Sequence, residues 1–208
     1  RKSIRSFLKK SISNSLIKDL LVQASRAPSG GNLQPWRIYV INDSSMSEFL
    51  EFLENWNEID PTEYDIYPPK LKEPYRSNRY ELGEDMYKLL GIAKDDKEAR
   101  INWVMNNFKF FGAPAGLFCY VDKTMGPPQW SDLGMFLQTF MLLAKEYGLD
   151  TCSQEAWSLK NKCVSKFLNT SDDLMLFCGM AIGFKDEKSK VNQLVSKRSH
   201  LDEWAKFI

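Results

Sequence analysis

The sequence predicts a helix-rich α+β fold arranged in layers, in a single domain spanning residues 1–208. Helical stripes and strand-like runs alternate along it without the regular β-α-β rhythm of a doubly wound sheet. The stretch Ser131 to Tyr147 is apolar almost all round and stops at Gly148, as a buried central helix would. Leu174 to Phe184 reads as a core strand. With 208 residues, 43% hydrophobic and 26% charged, the chain is long enough to bury one sizeable core.

After an extended basic start, Leu16, Ile17, Leu20, Leu21 and Ala24 form a helical stripe that Asn14 or Ser15 could cap, and Pro28 ends it. Arg37 to Ile41 alternates with β-formers and reads as a strand. Phe49, Leu50, Phe52, Leu53 and Trp56 mark another helix after Ser45 or Ser47. Residues 58–79 hold four prolines and little periodicity, the signature of a long surface excursion or lid. Two further helices follow, around Met86, Leu89 and Leu90 and around Val104 and Phe108, with the polar turn "AKDDKEA" between them. "FFGAP" then leads into a strand over Gly116 to Val121, and a short helix over Leu159 to Phe167 precedes the last strand.

Composition excludes several classes. Lys and Arg number 28 against 27 acidic residues, so a net charge of +1 offers no general field for nucleic acid or for a membrane surface. The apolar run Leu133 to Ala144 contains Gln138 and falls short of the roughly 20 residues that a membrane span needs. Cys119, Cys152, Cys163 and Cys178 show no C-x-x-C pairing and read as reduced core thiols, so a cytoplasmic compartment is expected. No metal site is expected. The single histidine, His200 in "KRSHLDEW", reads as a surface residue.

Chemistry concentrates in a few short stretches. "RKSIRSF" places Arg1, Ser3 and Arg5 at alternate positions, and in extended chain such side chains share one side. Guanidinium forks and a hydroxyl match phosphate oxygens, although a solvated basic arm would use the same residues. "SKRSHLDEW" supplies Ser196 and Arg198 with the same spacing. "APSGGNLQPW" crowds small and amide residues between a helix and a strand, and by itself could be mere punctuation. "GLDTCSQEAWS" leaves the central helix and offers backbone N–H groups near Glu155 and Ala156, or only a connection between helices. With no G-x-G-x-x-G or Walker loop present, a phosphate-bearing cofactor must be held by side chains.

Taken in order, R-x-S-x-R-x-F, A-P-S-x-x-N-x-Q-P-W, F-F-x-A-P, G-L-D-T-C-x-x-E and N-x-L-x-x-x-R closely resemble the FMN-dependent nitroreductase family over essentially the whole chain. The resemblance implies a three-layer α/β/α sandwich forming an intertwined homodimer, with two FMN molecules bound across the subunit interface. It makes Arg1, Ser3, Arg5 and Arg198 ligands of the phosphate and ribityl chain, with a main-chain contact from Lys2. Pro28, Ser29, Gly30, Asn32 and Gln34 match the family's segment that reaches from the second subunit toward the flavin. Gln154, Glu155 and Ala156 fall where the family aims backbone N–H groups at flavin N5, Glu155 serving to shape the turn. No side chain is assigned a catalytic role, since the chemistry belongs to N5.

There are two departures from the family pattern. The usual Asn-x-x-Lys contact to the ring is not found, with Arg76 or Arg79 as possible substitutes, and Ser196 stands where a basic residue is usual. The implied activity is NADH- or NADPH-driven reduction of a small electron-poor acceptor such as a nitroaromatic, quinone or enone. Without a separate dinucleotide motif both substrates share one cavity, so ping-pong kinetics follow. Reductive dehalogenation, fragmentation of FMN and a flavin-binding module with little turnover remain alternatives.

Overall fold

The structure is a computed structural model describing residues 1–208. Strands β1 (Arg37–Asn42), β2 (Ala115–Asp122), β3 (Asp150–Gln154) and β4 (Leu174–Gly183) form one antiparallel sheet in the order β1-β2-β4-β3. The helices are α1 (Asn14–Ala24), α2 (Ser44–Glu54), α3 (Tyr75–Leu90), α4 (Lys97–Met105), α5 (Pro127–Glu146) and α6 (Asn161–Leu168). Because strand side chains alternate, β2 serves two cores. Ala115, Leu117, Cys119 and Val121 join one with Leu20 of α1 and Phe136 and Phe140 of α5. Phe118 and Tyr120 join the other with Phe49 of α2 and Val164 of α6. The result is the expected three-layer sandwich.

Two glycines let aromatic rings lie flat on the second face. A Cβ on Gly116 would come within 2.5 Å of Phe110, and one on Gly179 within 2.3 Å of Trp157. Phe110 and Phe111 adopt left-handed φ of 48° and 52°, a costly conformation for bulky residues that the filled core holds in place. On β4 the register slips, so that Cys119 faces Cys178 while Tyr120 faces Leu176, leaving Phe177 as a bulge. Its carbonyl is taken by the Tyr64 hydroxyl.

The structure corrects four expectations. Ser13, and neither Asn14 nor Ser15, caps α1, its hydroxyl accepting from Leu16 N at 3.3 Å. Residues 75–79 of the supposed excursion are the first turn of α3, where the Glu73 carboxylate accepts the Ser77 N–H at 3.2 Å. Residues 150–154, read as a connection, form strand β3, short and at the edge of the ladder on β4. Finally, α5 is not enclosed. One side faces the sheet, and the other leaves Met135 38% and Leu142 54% exposed, because one sheet can cover only one side of an apolar helix.

What remains of the excursion is anchored at its start. The Asp60 carboxylate, 3% exposed, accepts from Cys163 N at 2.9 Å and Trp56 Nε1 at 3.0 Å, with Lys160 Nζ at 3.6 Å. Tyr64 then packs in a three-ring cluster with Trp130 and Phe177. Burial pushes its phenol up to about 12, so it donates a hydrogen bond and does not shed its proton near neutrality. The following residues deliver the chain to α3, which packs on the turn at Lys190–Gln193.

Candidate active site

The N-terminal arm is extended and laced to the sheet. Ser3 bridges Thr151 in parallel, Ile4 N donates to the Thr151 carbonyl at 3.0 Å, and Phe7 bridges Lys185. Ile4 is fully buried and Phe7 nearly so, which pins the arm by its apolar residues. The polar ones are left for a recess of about 850 Å³. Arg1, Lys2, Ser3 and Arg5 line it together with Ser196, Lys197 and Arg198 from the other end of the chain. Two stretches nearly 200 residues apart thus converge as the sequence motifs anticipate.

Five basic side chains face three carboxylates, those of Glu81, Asp85 and Glu203, around this recess. The local surplus of positive charge contrasts with the nearly neutral chain and favours an anion. Arg198 folds back so that Nη1 donates to Ser196 Oγ at 2.6 Å and to the Lys197 carbonyl at 2.8 Å. Ser196 therefore orients the cation two residues on. Beneath the arm, burial pushes the Cys152 thiol up to about 11 against the opposing pull of Arg5. It remains a neutral packing group at ordinary pH.

Sequence reading missed the wall formed by α3. Asn78, Glu81, Leu82 and Asp85 line the recess, and Lys197 Nζ stands 3.6 Å from Glu81 Oε2. Asn78 and Glu81 have i, i+3 spacing, but the segment up to residue 79 reads as loop, which hid the helical face. Arg76 and Arg79, named as possible substitutes at the ring contact, stand outside this recess. Arg76 pairs with Glu73 at 2.6 Å and Arg79 lies 4.3 Å over the Tyr67 ring.

The loop after α1 is built differently. Gly31, Asn32 and Gln34 have φ of 57°, 58° and 50°, a run of left-handed residues for which glycine and asparagine are suited. Ser29 Oγ accepts from Gln34 N at 3.0 Å, and the buried Asp132 carboxylate of α5 accepts the Gly30 N–H at 3.3 Å. One helical turn on, Phe136 stacks against Trp36 with centroids 4.9 Å apart. Pro28, Gly30, Gly31, Asn32 and Gln34 are exposed, and none of Pro28 to Gln34 lines the recess of its own chain.

The third predicted element divides. Gln154 is 2% exposed and its side chain is spent inside, Nε2 donating to the Asn107 carbonyl at 2.7 Å while Oε1 accepts from Trp157 Nε1 at 3.4 Å. Glu155 is exposed and Ala156 half-buried where β3 gives way to a 3₁₀ turn. His200 is 77% exposed beside Asp202, at the surface as expected.

The sequence pattern of the Nitroreductase family matches residues 1–184. The nitrobenzene nitroreductase of Ectopseudomonas oleovorans is 35% identical over 212 residues, covering 100% of this chain and 93% of that protein. The 4-nitrobenzoate reductase of Pseudomonas putida is 35% identical over 211 residues, covering 100% and 92%. Among solved structures, the FMN and NADPH-dependent nitroreductase NfnB from Sphigopyxis sp. strain HMH superimposes with a TM-score of 0.94 at 40% identity, covering 100% of this chain and 95% of that one. Shared motifs, shared layers and full-length similarity lead to one conclusion: this chain belongs to the nitroreductase family.

Proposed function

We propose that the protein is an FMN-dependent oxidoreductase that uses NADH or NADPH to reduce nitroaromatic, quinone or similar electron-poor acceptors. The basic recess carries this reading. Its donor set fits a phosphate monoester, with Arg1, Arg5 and Arg198 as bidentate cations and Ser3 and Ser196 as hydroxyl donors. Lys2 adds a main-chain contact. When bound, FMN supplies hydride chemistry at N5.

The chain's own residues bind and orient. Backbone N–H groups at Gln154, Glu155 and Ala156 meet the ring edge, and the buried Gln154 side chain keeps that turn in place. A homodimer completes the site, because Pro28, Gly30, Asn32 and Gln34 stand exposed outside their own recess, with Ser29 half-buried among them. Small residues permit close approach to a flat ring, and the amides satisfy its polar edge. The half-exposed α5 supports such an association, since Met135 and Leu142 give it an uncovered apolar side. The full-length relatives named for nitrobenzene and 4-nitrobenzoate support the acceptor class. A cytoplasmic setting suits the four free thiols.

Purified protein should be yellow, release FMN on denaturation and bleach when NADPH is added under nitrogen. Nitrobenzene or 4-nitrobenzoate should then restore the colour, with parallel double-reciprocal plots in the steady state. Colour without bleaching would make the protein a flavin-binding module, and FAD as the released species would overturn the cofactor assignment.

A further inference from the structure

Asn192 is 6% exposed and satisfies three backbone groups in two separate stretches with one amide. Its Oδ1 accepts the Arg5 backbone N–H at 2.9 Å, and its Nδ2 donates to the carbonyls of Ser6 at 2.8 Å and Asp186 at 3.0 Å. Its own carbonyl receives the Lys2 ammonium. Four residues on, the chain enters the recess with Ser196 and Arg198. The arm that carries Arg1, Ser3 and Arg5 and the segment that carries Arg198 are therefore joined at one buried side chain.

We infer that Asn192 is the positioning residue that sets the spacing of the cations around the phosphate, and so governs discrimination between phosphorylated and unphosphorylated flavin. This rests on the proposed reading of the recess as the FMN phosphate site. Arg5 reaches the recess by its side chain while its backbone is fixed by Asn192, so the amide acts on the ligand through another residue and makes no contact itself. Neither a carboxylate nor an apolar side chain can replace it. The site requires one acceptor for an N–H and two donors for carbonyls, and only a primary amide of this length offers both. Loss of the amide removes a donor from the half-buried carbonyls of Ser6 and Asp186 and the acceptor from Arg5 N, so the arm loses its side-chain tie to the C-terminal segment.

The test compares FMN and riboflavin, which share the ring and ribityl chain and differ in the phosphate. Apo-protein is titrated with each, for the native chain and for Asn192→Leu, which retains side-chain bulk without the hydrogen bonds. The native chain should prefer FMN strongly. In the variant FMN affinity should fall at least about tenfold, the scale of one lost charge-assisted contact, with riboflavin affinity within about twofold. Equal loss for both flavins, or an unchanged preference for FMN, would overturn the role of Asn192 alone. A native chain that does not distinguish the two flavins would instead sink the phosphate reading, and the inference with it. Should Asn192→Leu fail to fold, Asn192→Ser, which keeps a hydroxyl but cannot reach all three partners, is judged by the same ratio.

Discussion

The basic recess and the Pro28–Gln34 loop are both rich in residues suited to a ligand, yet one is closed by its own chain and the other is not. The recess gathers both chain ends and one face of α3, and its parts are cross-linked through Asn192. The loop is also tied down, with Gly30 seated on Asp132 and Trp36 just beyond it stacked on Phe136, but its Asn32 and Gln34 are exposed. A shaped loop with no ligand surface in its own chain is what a site divided between two subunits requires. The contrast teaches that ordering and completion are separate properties: both regions are ordered within their own chain, and under the proposed reading each supplies only part of the site.

The largest effect should follow Arg5→Glu, which puts a carboxylate among the proposed phosphate ligands. FMN affinity should fall by more than about 100-fold, since a single charge-assisted hydrogen bond is worth roughly 1.5 to 3 kcal/mol and reversal adds repulsion. Flavin content after gel filtration measures it, and normal content would reduce the recess to a solvated basic arm. Next, the proposed division between subunits can be tested directly. Arg5→Glu and Asn32→Trp should each give inactive homodimers, whereas the mixed dimer, purified through two tags, should recover about one working site in two, as a composite site in an isologous dimer demands. A mixed dimer as inactive as its parents would place each site within one chain.

A smaller effect should separate holding the flavin from using it. Asp132→Ala removes the acceptor of the Gly30 N–H, a contact worth about 1 kcal/mol, and should lower kcat by about three- to tenfold with FMN content unchanged. A loss of FMN instead would mean that loop and recess are not distinct in role. The smallest effect is expected for His200→Ala, whose exposed imidazole lies outside both regions. Its steady-state rate should stay within about twofold, and a tenfold loss would assign the histidine a proton-transfer duty.

The sequence made the recess more legible than its walls. Arg1, Ser3, Arg5, Ser196 and Arg198 share an alternate spacing that a solvated arm would also show, and the family resemblance singles them out, while Ile4 and Phe7 give the arm its fixed side. The face of α3 could not be found the same way. None of its residues is buried, so it lacks the apolar periodicity by which helices are recognised, and the prolines just before it extend the loop signal too far. Strand β3 was hidden because Asp150, Thr151, Ser153 and Gln154 are polar, and Asp150, Thr151 and Gln154 are nonetheless buried at an edge that the arm covers. For Gln154, the family resemblance concerned only its backbone N–H, and its position beside Asn107 and Trp157 reveals that the side chain is engaged inside. The exposed side of α5 is an absence of neighbours, and a single sequence has no signal for that.

The ring of Trp157 occupies the space that a side chain at position 179 would need, and through Gln154 it also steadies the turn at Glu155 and Ala156. The two positions are therefore sterically interlocked. A methyl at 179 would meet the indole at 2.3 Å, so a side chain there demands a smaller residue at 157, and with it the loss of the Gln154 contact that steadies the turn at Glu155 and Ala156.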